Sequence, residues 1–371
     1  MTWQTLNAGS TFRVVVTKHL PGERWLEILR QADCEVYACD SADVLGPEEI
    51  KAAIGARCDG LIGQLTERWD EDLFSALASA GGRVYSNYAV GYDNVDVPAA
   101  TEHEIAVGNT PGVLTETTAE LAMALTFAAA RRVCESDVFL RGGHYHGWLP
   151  HLFLGKRLHG ATLGIIGTGR IGSKYAQMLA SACHMDVVYF ELFRNDELER
   201  YFEKFSEFIG RPLRCEAAET VEEVLRRAHV VSIHVPLSEQ TLHLINKERL
   251  ELMRSDAVLV NSSRGPVIDE SALVDHLRAH PDFRVGLDVF EHEPVLAPGL
   301  AELPNAVIVP HIGSATVWTR AGMATLAAAN IVGVLRGDPV ATTLDAEAFM
   351  EGDCPRFAPS IVNASELALT L

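Results

Sequence analysis

The chain of 371 residues is predicted to be an α/β protein made of two doubly wound parallel-sheet units, each with helices on both faces of its sheet. Three features point there. Short runs rich in Val, Ile and Leu alternate with segments of helical periodicity. That alternation breaks at a Gly-, His- and Pro-containing loop, RGGHYHGWLPH at 141–151, and then restarts. Two long Ala-rich helical segments, at 115 to about 141 and about 315 to 335, stand near the break and near the end.

In chain order, FRVVVTK opens the first sheet, because an unbroken β-branched run suits a strand buried on both faces. Helical patterns near 23–31, 47–55 and 70–80 then alternate with the runs CEVYAC, DGLIGQ, RVYSNYAV and IAVGNT. The segment from 115 to about 141 exceeds an ordinary connecting helix and is expected to be one interdomain helix. The second sheet is read from ATLGIIG, MDVVYFE, HVVSIHV, DAVLVNS, FRVGLDVF and AVIVPHI, with helices between most of them. The helix at 315–335 is expected to carry the chain back to the opening domain. The residues after Gly337, without periodicity, are expected to be peripheral coil on that domain.

Composition excludes several classes of function. With 31 Lys and Arg against 50 Asp and Glu, the formal charge of -19 repels polyphosphate, and no basic cluster offsets it, so nucleic acid is not an expected partner. The seven cysteines are scattered, odd in number and free of any C-x-x-C pair, which argues against a disulfide framework or a thiolate zinc site. That usage fits an intracellular reducing compartment, either the cytoplasm or an organelle such as the mitochondrion. The opening residues MTWQTLNAGSTFRVVV do not read as a secretory leader, and no run approaches about 18 apolar residues, so no membrane span is expected. The last three residues, Leu369, Thr370 and Leu371, are not the S-K-L peroxisomal address.

The stretch ATLGIIGTGRIGSKYAQMLA places Gly167, Gly169 and Gly172 as G-x-G-x-x-G between an apolar strand and a helix. In that context the first glycine permits a tight turn, the second lets a pyrophosphate approach the backbone, and the third allows close helix packing. The phosphates would meet the helix N-terminus at Arg170 and Ile171. Glu191 closes the next strand, where a carboxylate accepts hydrogen bonds from an adenosine ribose and repels a 2′-phosphate. The cofactor is therefore read as NADH/NAD. Arg194 is able to pair with a 2′-phosphate, so NADPH is disfavoured but not excluded.

Doubly wound sheets bind ligands beyond the carboxyl ends of their strands, so the polar residues that close each apolar run are the candidate site. They are His234 and Pro236, Asn261 to Arg264, Asp288, Glu291, Glu293 and His311. Among these, His234, Pro236, Ser262, Ser263 and Asp288 are assigned to the cofactor, Asp288 at the nicotinamide carboxamide. Reducing a 2-keto acid requires a fixed cation for the carboxylate, a proton donor for the carbonyl oxygen and an acid to hold that donor. Arg264 supplies the planar fork, His311 the proton, and Glu293 the partner that fixes the ring and stabilises its imidazolium.

The set GTGRIG, NSSRGPVIDE, GLDVFEHEP and PHIGSAT, in this order and spacing, resembles the D-isomer-specific 2-hydroxyacid dehydrogenases, with Arg264, Glu293 and His311 matching the family's catalytic triplet. Within it the likeness is greatest to the NADH-dependent hydroxypyruvate reductases of photorespiration, through RCDGLIGQLTE, AVGYDNVDV, GNTPGVLTETTAELA and RGGHYHGWLPHLF. The resemblance implies a flavodoxin-like substrate domain at 1–128 and 320–371, a Rossmann domain at 129–319, and reduction of hydroxypyruvate to D-glycerate and of glyoxylate to glycolate. It implies that backbone N–H groups of Val90, Gly91 and Tyr92, and the loop at Leu65, meet the substrate. It implies a homodimer, with Trp148 at a subunit interface or reaching a neighbouring active site. The segment 194–216 resembles an insertion of that subgroup. Two departures stand out: plant members usually carry Asp where this chain has Glu191, and they end in a peroxisomal tripeptide.

His144, His146 and His151 suggest a metal, but no acidic or cysteine partner lies nearby in sequence, and no metal is assigned. A second function class shares the fold and the Arg/Glu/His set: NAD(H)-sensing corepressor-like interaction proteins. Long disordered arms that would recruit partners are absent from this sequence.

Overall fold

The computed structural model describes residues 2–369, so Thr370 and Leu371 of the C-terminal tripeptide lie outside the described residues. The chain forms two compact units, Met1–Leu114 with Ser314–Leu371, and Thr115–Gly313.

In the first unit, β1 (Trp3–Leu6), β2 (Phe12–Val16), β3 (Cys34–Cys39), β4 (Gly60–Gly63), β5 (Val84–Asn87) and β6 (Ala106–Gly108) form one sheet in the order β1-β3-β2-β4-β5-β6. The last five are parallel and follow the 2-1-3-4-5 order of a flavodoxin-like sheet. β1 runs antiparallel to β3, from Trp3 opposite Cys39 to Leu6 opposite Val36, so this sheet is not wholly parallel as expected. The strand WQTL is short and only partly buried, as suits a sheet edge, and it therefore leaves no apolar run to find. The helices α1 (Arg24–Gln31), α2 (Pro47–Ile54), α3 (Glu71–Ser79) and α4 (Val97–Glu102) connect the parallel strands. Asp70 and Asp96 cap α3 and α4 by accepting from Leu73 N and Ala99 N.

The second unit opens with α5 (Thr115–Ala130) and α6 (Val133–Arg141), two helices where one was expected. Arg132 between them is left-handed, with φ 55°, just beyond the last buried residues, Ala129 and Ala130. Ala119, Ala122, Leu125 and Ala129 join the core that contains Leu163, Ile165 and Tyr175. That packing assigns α5 to the second unit and sets the division after Leu114 rather than at 128.

There follow β7 (Thr162–Ile166), α7 (Arg170–Cys183), β8 (Asp186–Phe190), α8 (Asp196–Ile209), β9 (Cys215–Ala217), α9 (Val221–Arg227), β10 (Val230–Ile233), α10 (Lys247–Leu250), β11 (Val258–Asn261), α11 (Glu270–Ala279), β12 (Arg284–Leu287) and β13 (Ala306–Ile308). All seven strands are parallel, ordered β13-β12-β11-β10-β7-β8-β9, which is the Rossmann order extended by one strand. The segment between Phe193 and Ala217, which resembles an insertion, holds α8, which buries Leu198 and Phe202, and runs into β9.

The final helix, α12 (Val317–Arg336), belongs to the first unit, where Ala324, Ala327, Ala328 and Ile331 pack with Val14, Ile62 and Val84. It packs closely on both sides: a Cβ at Gly108 of β6 would lie 2.8 Å from Asn330 Nδ2, and one on its own Gly333 would lie 2.8 Å from the Ala358 backbone. The tail beyond it is irregular, as expected, but not peripheral. Phe349, Ala358 and Asn363 are buried, and Asn363 Oδ1 accepts from Val107 N at 2.8 Å. Among the described residues, no helix is long and apolar enough to cross a membrane.

Candidate active site

Parallel register in the second sheet sets Phe190, Ile166, Ile233, Asn261, Leu287 and Ile308 side by side across six strands. The chain leaves the sheet at this row, so Glu191, Gly167, His234, Ser262 and Asp288 are each the next residue along one carboxyl edge, and Arg264 and His311 follow shortly after. A single geometric fact, the register, therefore gathers residues spread over more than a hundred positions.

At β7 the glycines are required by space. Gly167 has φ 91°, and a Cβ on it would lie 2.8 Å from the His234 carbonyl oxygen. A Cβ on Gly172 would lie 2.1 Å from the Gly167 oxygen. Around Gly169, by contrast, a Cβ meets nothing within 4 Å, and no side chain caps the α7 N-terminus that begins at Arg170 and Ile171. Thr168 Oγ1 and Ser262 Oγ are buried without a hydrogen-bond partner among the described residues. An open glycine, an uncapped helix end and orphaned hydroxyls fit a dinucleotide, whose phosphates take donors from such an N-terminus.

Glu191 accepts from Thr168 N at 2.8 Å and Leu192 N at 3.0 Å, which ties the β8 end to the glycine turn. Arg194 instead pairs in a fork with Glu199, Nε donating to Oε1 at 3.0 Å and Nη2 to Oε2 at 2.5 Å, and that pairing holds the Glu199 carboxyl below its usual range. Asn195, which the sequence reading missed, donates to Thr168 O at 2.8 Å and Ser173 Oγ at 3.1 Å and so braces the same turn. The ring of His234 is buried although the residue as a whole is partly exposed. Burial pushes it down to about 3, so the ring is neutral and shares a 2.8 Å hydrogen bond with Ser232 Oγ. Pro236 is exposed two residues beyond it.

At the β11 end, buried Asn261 shapes the arginine loop. Its Oδ1 accepts from Ser263 N and Oγ at 3.0 and 2.8 Å, and its Nδ2 donates to the Arg264 carbonyl at 2.9 Å. The Arg264 guanidinium donates to Ser263 O at 2.8 Å. Gly265 lies against the loop after β12: a Cβ there would be 1.9 Å from the Phe290 carbonyl carbon and oxygen. Glu270 N donates to Glu291 Oε2 at 3.1 Å and Glu291 N to Glu270 Oε2 at 3.2 Å, a reciprocal staple between the same two loops. Arg264 and Glu293 are thus carried on backbones that touch. Neither Gly265 nor the Glu270 pairing was singled out from sequence, because nothing in a linear pattern shows which backbone a glycine must admit.

Asp288 has both oxygens occupied by backbone, accepting from Ile312 N at 2.6 Å and Gly313 N at 2.8 Å. Its visible task is to shape the turn after β13, in which His311 takes φ 49° and donates its N–H to the Asp288 carbonyl at 2.9 Å. Burial pushes the Asp288 carboxyl up. The turn aims His311 Nδ1 at Glu293 Oε2, 3.0 Å away, while Glu293 Oε1 accepts from Phe290 N at 3.0 Å. Burial by itself would raise the Glu293 carboxyl. The hydrogen bond and charge of His311, the Phe290 N–H and the Arg264 guanidinium outweigh it and hold the group below its ordinary value of 4.5.

In the first unit, the turn after β5 has its carbonyls fixed and its donors left over. Asn109 Nδ2 donates to Val90 O at 2.8 Å and Asn87 Nδ2 to Gly91 O at 2.9 Å. The peptide N–H groups of Val90, Gly91 and Tyr92 have no acceptor among the described residues. Leu65 is exposed beside Gln64, whose N–H donates to buried Glu67 at 3.0 Å.

Comparisons with known proteins add to this geometry. Residues 123–313 match the family model described as "D-isomer specific 2-hydroxyacid dehydrogenase, NAD binding domain". The chain is 54% identical over 369 residues to a glycerate dehydrogenase of Cucumis sativus, covering 97% of each. It is 40% identical over 341 residues to a glyoxylate reductase of Pyrococcus horikoshii, covering 90% of this chain and 96% of that one. Among solved structures it resembles the TT0316 protein of Thermus thermophilus, with a TM-score of 0.79 and 39% identity over 95% of this chain and all of that one.

Proposed function

The chain belongs to the D-isomer-specific 2-hydroxyacid dehydrogenases, a family of oxidoreductases, and we propose that it reduces hydroxypyruvate to D-glycerate with NADH, and glyoxylate to glycolate by the same route. The observation that carries this reading is the 3.0 Å pair of His311 and Glu293 on the loop that Gly265 joins to Arg264. The sensor alternative gains no support from the relatives named above.

Gly167, Gly169, Arg170, Ile171 and Gly172 would hold the pyrophosphate, Glu191 the adenosine ribose, and His234, Pro236, Ser262, Ser263 and Asp288 the nicotinamide end. When bound, the cofactor supplies the hydride. The Arg264 fork grips the anionic substrate and polarises its carbonyl oxygen. With Nδ1 engaged by Glu293, His311 presents Nε2 as the proton donor to that oxygen. We assign the Val90 to Tyr92 turn, with its unpaired N–H groups, to carboxylate binding, with Leu65 beside it.

Comparing kcat/KM for hydroxypyruvate, glyoxylate and pyruvate, each with NADH and NADPH, tests the proposal. Hydroxypyruvate is expected to lead glyoxylate by about 10–200-fold, the discrimination a small side group allows. NADH should lead NADPH, because Glu191 repels a 2′-phosphate and Arg194 is engaged by Glu199. Preference for pyruvate would reject the substrate assignment, and preference for NADPH the cofactor.

Glu293→Gln is expected to lower kcat for hydroxypyruvate by about tenfold, because the amide keeps the shape of the carboxyl but loses the charge that holds the His311 ring in place. The wild-type Glu293 carboxyl is held below 4.5, so it stays ionised above that pH and the pair is lost only as pH falls through the lowered value. An unchanged kcat would remove Glu293 from this role.

We propose a homodimer formed through the α6 region of the second unit. α6 buries none of its residues in the single chain, and Val138, Leu140, Trp148 and Leu149 are exposed. Light scattering on the eluting protein should give twice the chain mass, and Trp148→Glu should shift it toward the monomer. A wild-type monomer would overturn the assignment.

A further inference from the structure

We propose that Glu251, His276 and His280 form a binding site for one divalent transition cation of the zinc class, at the end of α11 remote from the Arg264 loop. One ligand atom from each of the three lies within 4.8 Å of the others. His276 and His280 stand one helical turn apart, with rings stacked at 4.1 Å and 28°. Glu251 approaches from the residue that ends α10.

The buried histidine is the independent observation. His276 is 6% exposed, and neither of its ring nitrogens has a hydrogen-bond partner among the described residues. Its Nδ1 lies 3.5 Å from Glu251 Oε1 without a hydrogen bond. A polar ring taken from water with no partner is costly, and a cation between it and Glu251 would supply that partner.

His280 is oriented as metal-binding histidines commonly are. Its Nδ1 lies 3.0 Å from the His276 carbonyl oxygen, and since a carbonyl only accepts, Nδ1 carries the proton and Nε2 carries the free lone pair. Two imidazoles and a carboxylate suit zinc better than calcium or magnesium, and three protein ligands leave a fourth position for water. The site uses none of His144, His146 and His151. Bound there, the cation would tie α10 to the last turn of α11.

Zinc chloride titrated calorimetrically into the full chain, after chelator treatment, tests this, with cobalt(II) absorption as a second readout. One equivalent is expected to bind with low-micromolar or tighter affinity and a tetrahedral cobalt spectrum. Saturating zinc should raise the melting temperature, as any ligand that binds only the folded chain does. His280→Gln and Glu251→Gln should each weaken binding at least about tenfold, and the double variant should abolish the thermal shift. Both residues lie toward the surface, and NADH binding measured alongside reports that the variants fold. No uptake by the wild type, or equal uptake by the double variant, would overturn the site.

Discussion

His311→Gln is expected to lower kcat for hydroxypyruvate by about 10²–10⁴-fold, the range over which a positioned general acid acts. The reason is local. Nδ1 of this ring is held 3.0 Å from Glu293, so its other nitrogen is the one left to deliver a proton, and glutamine has no titratable proton to give. NADH affinity, measured by fluorescence, should change little, because the glycine turn and Glu191 lie on other strands. The residue occupies a left-handed backbone position, φ 49°, which glutamine tolerates poorly. His311→Asn, better suited to that conformation, serves as the second variant and should show the same loss. Near-wild-type turnover in either would refute the donor role.

Arg264→Lys is expected to cost about 10–100-fold in kcat/KM, with KM raised and kcat lowered together, while NADH binding stays intact. A lysine retains the charge but loses the planar fork, so it meets carboxylate and carbonyl oxygens one at a time. The loop backbone should persist, because Asn261 holds the Arg264 carbonyl and not its side chain, and Gly265 still admits Phe290. Unchanged kinetics would place the guanidinium outside the site. A loss of NADH binding would instead mean that the loop itself had moved.

Much of the fold was legible because parallel strands buried on both faces are written as continuous apolar runs, such as ATLGIIG and DAVLVNS, and because G-x-G-x-x-G sits directly between one of them and a helix. What escaped was short, polar or dependent on distant partners. β1 and β9 are edge strands of four and three residues with little buried surface. The break at Arg132 falls inside an uninterrupted helical pattern, where neither proline nor glycine marks it. The tail after Gly337 looked peripheral because its burial comes from scattered residues such as Phe349 and Ala358, which carry no period.

By itself the sequence determined the alternation of strands and helices, the glycine turn, and the residue types that close each strand, since these depend on local periodicity and on chemistry readable one residue at a time. Only the tertiary structure decided which of those residues share an edge, which backbone Gly265 must admit, that Asp288 shapes the turn bearing His311, and that Arg194 answers to Glu199. The physical reason is register: hydrogen bonds between strands far apart in the chain align Phe190, Ile166, Ile233, Asn261, Leu287 and Ile308 in one row, and no stretch of sequence records that alignment.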